Sequence, residues 1–393
     1  MASIPFTLAA LATSAVPDLE VLGVSSDEQG EAFRSAVITN GTAEFLVRVP
    51  RTELAEVRQS AELLGLAALS EGSRAVLPFE VPETLGMTRA GDTRAVVTTY
   101  IGGDQFEVDH LQEDSLLLQP IAEMLAAIHG LPLSIAQQGG LPVRSAQDLR
   151  LQATRVIDRA EATRLLPQTV LDRWKHVVET SELWDFAPAM VHGSLDADHL
   201  RISSEQITGV VGWSELSVGD PATDMAWLMN AGSEVLDGVL ARYAKLHNSS
   251  SLPHVRARAA LYAELEIARW LFHGIDTHDE TIVNDAVGML DRLVDSIGVF
   301  GERLGPAQHQ TPLSEDEVSA LLDETPEVND VLSDTAAYEA LDEDRMFGMD
   351  TDFIEPLQEQ PASESEPPAD SDEQLTEPID EDDLPESSGS TPR

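Results

Sequence analysis

Apolar residues alternate in the first hundred positions and then recur at helical spacing, so strands give way to helices along the chain. The stretches 19–24, 34–40, 43–49, 79–85 and 94–101 read as strands. Asn40-Gly41, between the second and third, predicts a type I′ hairpin turn, and the Val/Thr/Tyr run of the last suits a buried strand. Within this series, 52–70 has helical spacing, with Leu54, Val57, Ala61 and Leu64 as its apolar positions and Thr52 as a cap. Further on, 115–130 predicts an amphipathic helix (Leu117, Ile121, Leu125, Ile128) that ends at His129-Gly130, a good C-cap. The stretches 148–164, 167–179, 235–247, 253–274 and 280–304 read as helices too. Residues 191–227 interrupt them with a strand, a loop, a short hairpin and a second loop. A helix then begins where Asp220 can accept from orphan N–H groups and Pro221 has no N–H to waste.

A chain of 393 residues with 42% apolar content has room for a two-lobed body, but 22 prolines and 70 acidic residues imply an unstructured part as well. With no cysteine, disulfides and thiolate metal sites are excluded. A net charge of −46 argues against nucleic acid, which needs a basic face, and against anionic membrane surfaces. The apolar run 6–12 resembles part of a signal peptide, yet no Lys or Arg precedes Arg34, so the positive n-region is missing. The run is also too short to span a bilayer. The expected location is the cytoplasm.

Three motifs carry the chemistry: His192-Gly193-Ser194-Leu195, the strand Gly209-Val210-Val211-Gly212-Trp213, and Gly219-Asp220-Pro221-Ala222-Thr223-Asp224. Together they resemble the core of the aminoglycoside and macrolide phosphotransferases, small-molecule kinases with a protein-kinase-like fold. The resemblance spans about residues 15–305. It implies an α+β, two-lobed fold: a small antiparallel sheet with one helix in an N-lobe (1–104) and a mostly helical C-lobe (105–305). The Leu125-Ala126-Ala127-Ile128-His129 run is typical of the family. His199, where aminoglycoside kinases have a metal-binding Asn, places the chain nearer the macrolide branch.

The same resemblance exposes two departures. The family's catalytic base, an aspartate after His-Gly, is here Ser194, and its magnesium-binding aspartate before the strand-ending Trp is here Gly212. Phosphoryl transfer needs positioning, magnesium and a carboxylate to orient the attacking hydroxyl. Magnesium wants oxygen ligands, and a serine hydroxyl cannot take a proton near neutral pH. Losing a general base alone costs roughly 10²–10⁴-fold. Neighbouring groups offer substitutes: Asp196 as a migrated base and Asp198 as a relocated metal ligand, with solvated loop carboxylates as the bland reading of both. Asp220 and Asp224 have structural work available, as a helix cap and as a pin for the loop backbone. His192 reads as a packing and hydrogen-bonding residue beneath the loop.

On the nucleotide side, Arg48 stands where the fold places the lysine that grips phosphates, with Glu62 as its helix partner and Glu53 and Glu56 as competitors. The bland reading is a surface arginine and a surface glutamate. The hinge is Tyr100-Ile101-Gly102-Gly103, where ATP or GTP would bond to backbone groups. The segment 23–30, in the place of a phosphate-covering loop, lacks a Gly-x-Gly-x-x-Gly pattern, carries Asp27 and Glu28, and reads as an ordinary β-turn.

Residues 306–393 hold only two basic residues, Arg345 and Arg393, among Asp, Glu, Pro and Ser, the composition of a disordered acidic tail. Two patches in it are not purely polar: 314–322 has a capping-box start at Ser314 and Glu317 with Val318, Leu321 and Leu322 on one face, and 346–357 resembles a short segment that folds on a protein partner, with an entropic, solubilising tail as the bland reading. Three functional readings follow. The leading one is a degenerate, pseudokinase-like member that binds a nucleotide or small molecule, with magnesium doubtful. The second is an active ATP- or GTP-dependent O-phosphotransferase using a relocated carboxylate such as Asp196. The third is an interaction scaffold acting through the tail.

Overall fold

The computed structural model describes residues 4–27, 32–247 and 251–300. The expectations for the acidic tail, including its two apolar patches, lie outside the described residues, as do 301–304 of the last predicted helix. The chain starts with helix α1 (Ile4–Ala15), then builds strands β1 (Gly23–Asp27), β2 (Phe33–Thr39) and β3 (Glu44–Pro50). Helices α2 (Glu53–Ala68) and α3 (Glu71–Ala75) follow, then strands β4 (Thr84–Ala90) and β5 (Thr93–Thr99). The five strands form one antiparallel sheet in the order β1-β2-β3-β5-β4. The apolar run 6–12 is part of α1, whose Leu8, Ala9 and Ala12 pack on Ala36, Ile38, Val47 and Val97 of the sheet.

Several local expectations shift. Part of the predicted turn at 23–30 is strand: Gly23–Asp27 pairs with β2 from Gly23↔Thr39 to Asp27↔Ser35, which corrects the ordinary-turn reading there. The β2–β3 connection is a four-residue loop rather than a type I′ turn, because Asn40 Oδ1 accepts from the N–H groups of Thr42 and Ala43 at 3.0 and 2.8 Å. The strand expected at 79–85 lies at 84–90. Its hairpin partner is reached through Gly91-Asp92, with Gly91 at φ +69°. Residues before it run to the other lobe instead, where Glu80 exchanges backbone hydrogen bonds with Thr208 and Val210.

Helix α2 begins as read, with Thr52 Oγ1 accepting from the Ala55 N–H at 3.2 Å, but it faces the other way. Leu54, Val57 and Leu64 are 62%, 61% and 47% exposed, while Ala55, Gln59, Glu62, Gly65 and Leu66 are buried. Polar partners decide the orientation: Gln59 donates to the Arg94 carbonyl and Glu62 meets Arg48. Gly65 lets the helix lie against the Trp213 carbonyl, where a Cβ would collide.

The rest is mostly helical: α4 (Leu118–His129), α5 (Ser134–Gly139), α6 (Ala146–Thr163), α7 (Gln168–Glu179), α8 (Ser233–Leu246), α9 (Leu252–Thr277) and α10 (Glu280–Phe300). Between α7 and α8 stand four short strands, β6 (Ala189–Val191), β7 (Leu200–Ser203), β8 (Gln206–Val210) and β9 (Ser217–Gly219), paired as β6–β9 and β7–β8. The helix opened by Asp220-Pro221 is a 3₁₀ segment over Pro221–Ala231. The core gathers Leu118, Ile121, Leu125 and Ile128 of α4 with Trp174 and Trp213. No helix among the described residues is long and apolar enough to cross a membrane.

Candidate functional site

The loop after β6 is held by one buried carboxylate. Asp224 accepts from the backbone N–H of His192 at 2.8 Å and of Gly193 at 2.7 Å. His129 Nε2 donates to the same carboxylate at 3.2 Å, and its Nδ1 meets the Tyr243 hydroxyl at 2.9 Å. Burial alone would raise the Asp224 pKa, but the hydrogen bond and charge of His129, aided by His192 and the Gly193 N–H, carry it below the usual carboxylate range. Asp220 caps the segment at Pro221 by accepting from the Ala222 N–H at 3.0 Å. It is itself gripped by the Arg258 fork at 2.6 and 3.1 Å and by the Tyr262 hydroxyl at 3.0 Å. Sequence reasoning missed Arg258, although an arginine inside the Ala/Leu-rich 255–261 stretch of a helix was a usable signal of a buried partner.

His192 is fully buried and donates through Nε2 to the Val211 carbonyl at 3.0 Å, edge-on to Trp213. Burial pushes its pKa down to about 4, so near neutral pH it is an uncharged packing residue. Gly193 adopts φ +87°, and a Cβ there would strike the Glu215 carbonyl, so the loop can approach the 213–215 turn only as glycine.

The remaining candidates fall into two cavities. One, about 600 Å³, lies under the sheet and is lined by Arg48, Glu62, Tyr100, Asp198, His199 and Gly212. There Arg48 and Glu62 form an ion pair at 2.5 Å, with Glu62 chosen over Glu53 and Glu56. Arg58, one turn before Glu62 on α2, lines this cavity as well; its i, i+4 spacing from Glu62 was the overlooked sign. The other cavity, about 500 Å³, is lined by Ser194 and Asp196 together with Glu215, Glu266, Arg144 and Arg269. Asp196 spends Oδ1 on its neighbour, accepting from the Ala197 N–H at 2.6 Å as an N-cap.

Gly212 has φ +83°, a region in which Asp is among the better tolerated residues, so backbone strain alone would not bar the family's aspartate. The space does. A Cβ built there collides with His199 Cδ2 and lies 2.5 Å from Nε2, so the imidazole stands where that carboxylate would begin. Among the described residues no three His, Asp or Glu side chains assemble to hold a metal ion. At residue 212 magnesium, which the resemblance brings with it, is offered an imidazole in place of an oxygen ligand, and of the expected carboxylate donors only the substitute Asp198 lines the cavity, so the family's donor set is not kept.

A five-stranded antiparallel sheet over a helical lobe, with an Arg–Glu pair in the cleft between them, is the protein-kinase-like fold. Within it the chain belongs to the phosphotransferase enzyme family (APH), whose sequence model matches residues 23–262. A relative, the uncharacterized protein YcbJ of Bacillus subtilis (strain 168), is 26% identical over 208 residues, half of this chain and 67% of that protein. Among solved structures, macrolide 2'-phosphotransferase type I is 25% identical with a TM-score of 0.59, over 72% of this chain and 96% of that one. The GDP and kanamycin complex of APH(2")-IIia is similar in fold, with a TM-score of 0.62 at 18% identity, over 75% of this chain and 100% of that one.

Proposed function

We propose that this chain is a degenerate phosphotransferase, a protein that binds a nucleotide, and a small molecule beside it, without transferring the phosphoryl group. The observation that carries this reading is the replacement of both family carboxylates inside an otherwise intact frame, with His199 closed onto Gly212. The frame itself is kept: Asp224 pins the loop, Asp220 caps the following segment, and Arg48 is paired with Glu62. Each helps the fold whether or not chemistry occurs, so their survival is compatible with binding alone.

The cavity under the sheet is the nucleotide site in this reading, with Tyr100 at the hinge and Arg48 toward the phosphates. A relative of the same fold was solved with GDP and kanamycin, which makes a purine nucleotide the first ligand to try. The cavity at Ser194 takes the small molecule, and its Asp196, Glu215 and Glu266 favour a ligand that carries positive charge. One observation favours a second reading, an active O-phosphotransferase: Asp196 lines the same cavity as Ser194, and its second carboxylate oxygen is left for a substrate hydroxyl.

Nucleotide binding is tested by the melting temperature of the full chain with millimolar ATP or GTP. A ligand that binds the folded state raises Tm by mass action, by about 2.7 kcal/mol of stability at a hundred times Kd. A rise with either nucleotide supports the reading. An unchanged Tm with both, at concentrations that saturate ordinary family members, contradicts it.

A further inference from the structure

We propose that the cleft under the sheet binds the polyphosphate of a nucleotide through arginine alone, without a divalent cation, and that Arg58 is a phosphate contact beside Arg48. The inference rests on the nucleotide-binding reading above and adds how the charge is met.

A nucleoside triphosphate brings several negative charges into a cleft, and they must be balanced there. In a working kinase, metal ions bridge the phosphates and neutralise developing charge. Here carbon and nitrogen of His199 occupy the place where the side chain of residue 212 would start, and Gly212 has no carboxylate to offer a metal ion. What remains to meet the phosphates is guanidinium. The cavity lining carries Arg48, Arg58 and Arg201 against Glu62 and Asp198, in a protein whose net charge is −46.

The three arginines are not equivalent. Arg201 is buried and donates to the carbonyls of Asp198 and Leu200. Arg48 is held by Glu62 and lies over the Phe33 ring, which fixes its direction but satisfies part of its charge. Arg58 makes no hydrogen bond or ion pair with any described residue, although an exposed arginine in so acidic a chain has many carboxylates to choose from. It projects from the same helix as Glu62, one turn earlier, into the same cavity. A planar fork of N–H donors suits a phosphate and needs no metal to do so. Magnesium bound to the free nucleotide would then compete with the arginines for the same oxygens.

The test is titration calorimetry of the full chain with ATP and with GTP, once in EDTA and once in excess Mg²⁺. The expected result is binding in EDTA at least as tight as in Mg²⁺, and a roughly tenfold weaker Kd for Arg58→Ala in EDTA, partly recovered in Arg58→Lys. A second variant, His199→Ala with Gly212→Asp, clears the imidazole and restores an oxygen ligand, and it should shift the preference toward Mg²⁺. Binding that appears only with Mg²⁺ overturns the metal-free site while leaving nucleotide binding standing. An unchanged Kd in Arg58→Ala removes Arg58 from the phosphate contacts. No binding of either nucleotide in either buffer overturns the nucleotide-binding reading and this inference with it.

Discussion

The imidazole of His199 lies where the side chain of residue 212 would start, so two positions that stand apart along the chain are coupled in space. The sequence exposes Ser194 and Gly212, because each sits inside a motif whose other positions are kept. It cannot say where a neighbouring ring moves when a carboxylate is lost, which depends on the volume left behind. His192 is the other residue whose behaviour burial decides. Its pKa is pushed down to about 4 from the ordinary 6.5, by burial first and by neighbouring His199 to a lesser degree, with Asp224 opposing. Between those two values the unfolded chain takes up a proton that the folded chain refuses, so stability is complete above pH 6.5 and falls as the pH drops toward 4. For His192 alone the loss is up to about 3 kcal/mol. His199, also lowered by burial, adds to it with the same sign. The Tm of the protein should therefore decline from pH 7 to pH 4.5. In His192→Gln, which keeps a donor for Val211 and does not titrate, the decline should be shallower. An equally steep curve in that variant would show that His192 is not the group responsible.

Helices α1 and α2 show how far element-level patterns reach. The position and cap of α2 are legible from spacing and from Thr52, but its buried face is not. Burial there follows polar partners that lie elsewhere in the chain, Arg48 for Glu62 and the Arg94 carbonyl for Gln59, and periodicity counts only apolar residues. Helix α1 is the opposite case: an apolar run read for its bearing on export and membranes turns out to cover one side of the sheet. Leu8 is buried in that contact at 2% exposure, whereas Phe6 of the same helix is 67% exposed. Leu8→Ala should cost about 2–4 kcal/mol in urea unfolding, while Phe6→Ala should stay within about 0.5 kcal/mol. Equal small effects at both positions would mean that α1 does not share the sheet's core.

At the scale of the whole molecule, the described part of the chain keeps the architecture of a phosphotransferase and changes the contents of its site. The succession of a strand-rich and then a helical part was legible because it follows from two simple periods, and the family from three short motifs, whereas helices α1, α3 and α5 were not foreseen. The partition of the candidates between two cavities was not, since residues 194–199 stand together in sequence yet line different spaces. That partition bears on activity, because Asp196, the substitute base read from the sequence, shares a cavity with Ser194 and is already engaged as an N-cap. The most direct test is phosphoryl transfer itself: nucleotide turnover by the full chain with saturating ATP or GTP and Mg²⁺, across macrolide and aminoglycoside acceptors, alongside Asp196→Asn. The expected result is no acceptor-dependent turnover in the parent chain and no difference in the variant. Acceptor-dependent turnover that disappears in Asp196→Asn would contradict it, and would make this chain a working kinase with a relocated base.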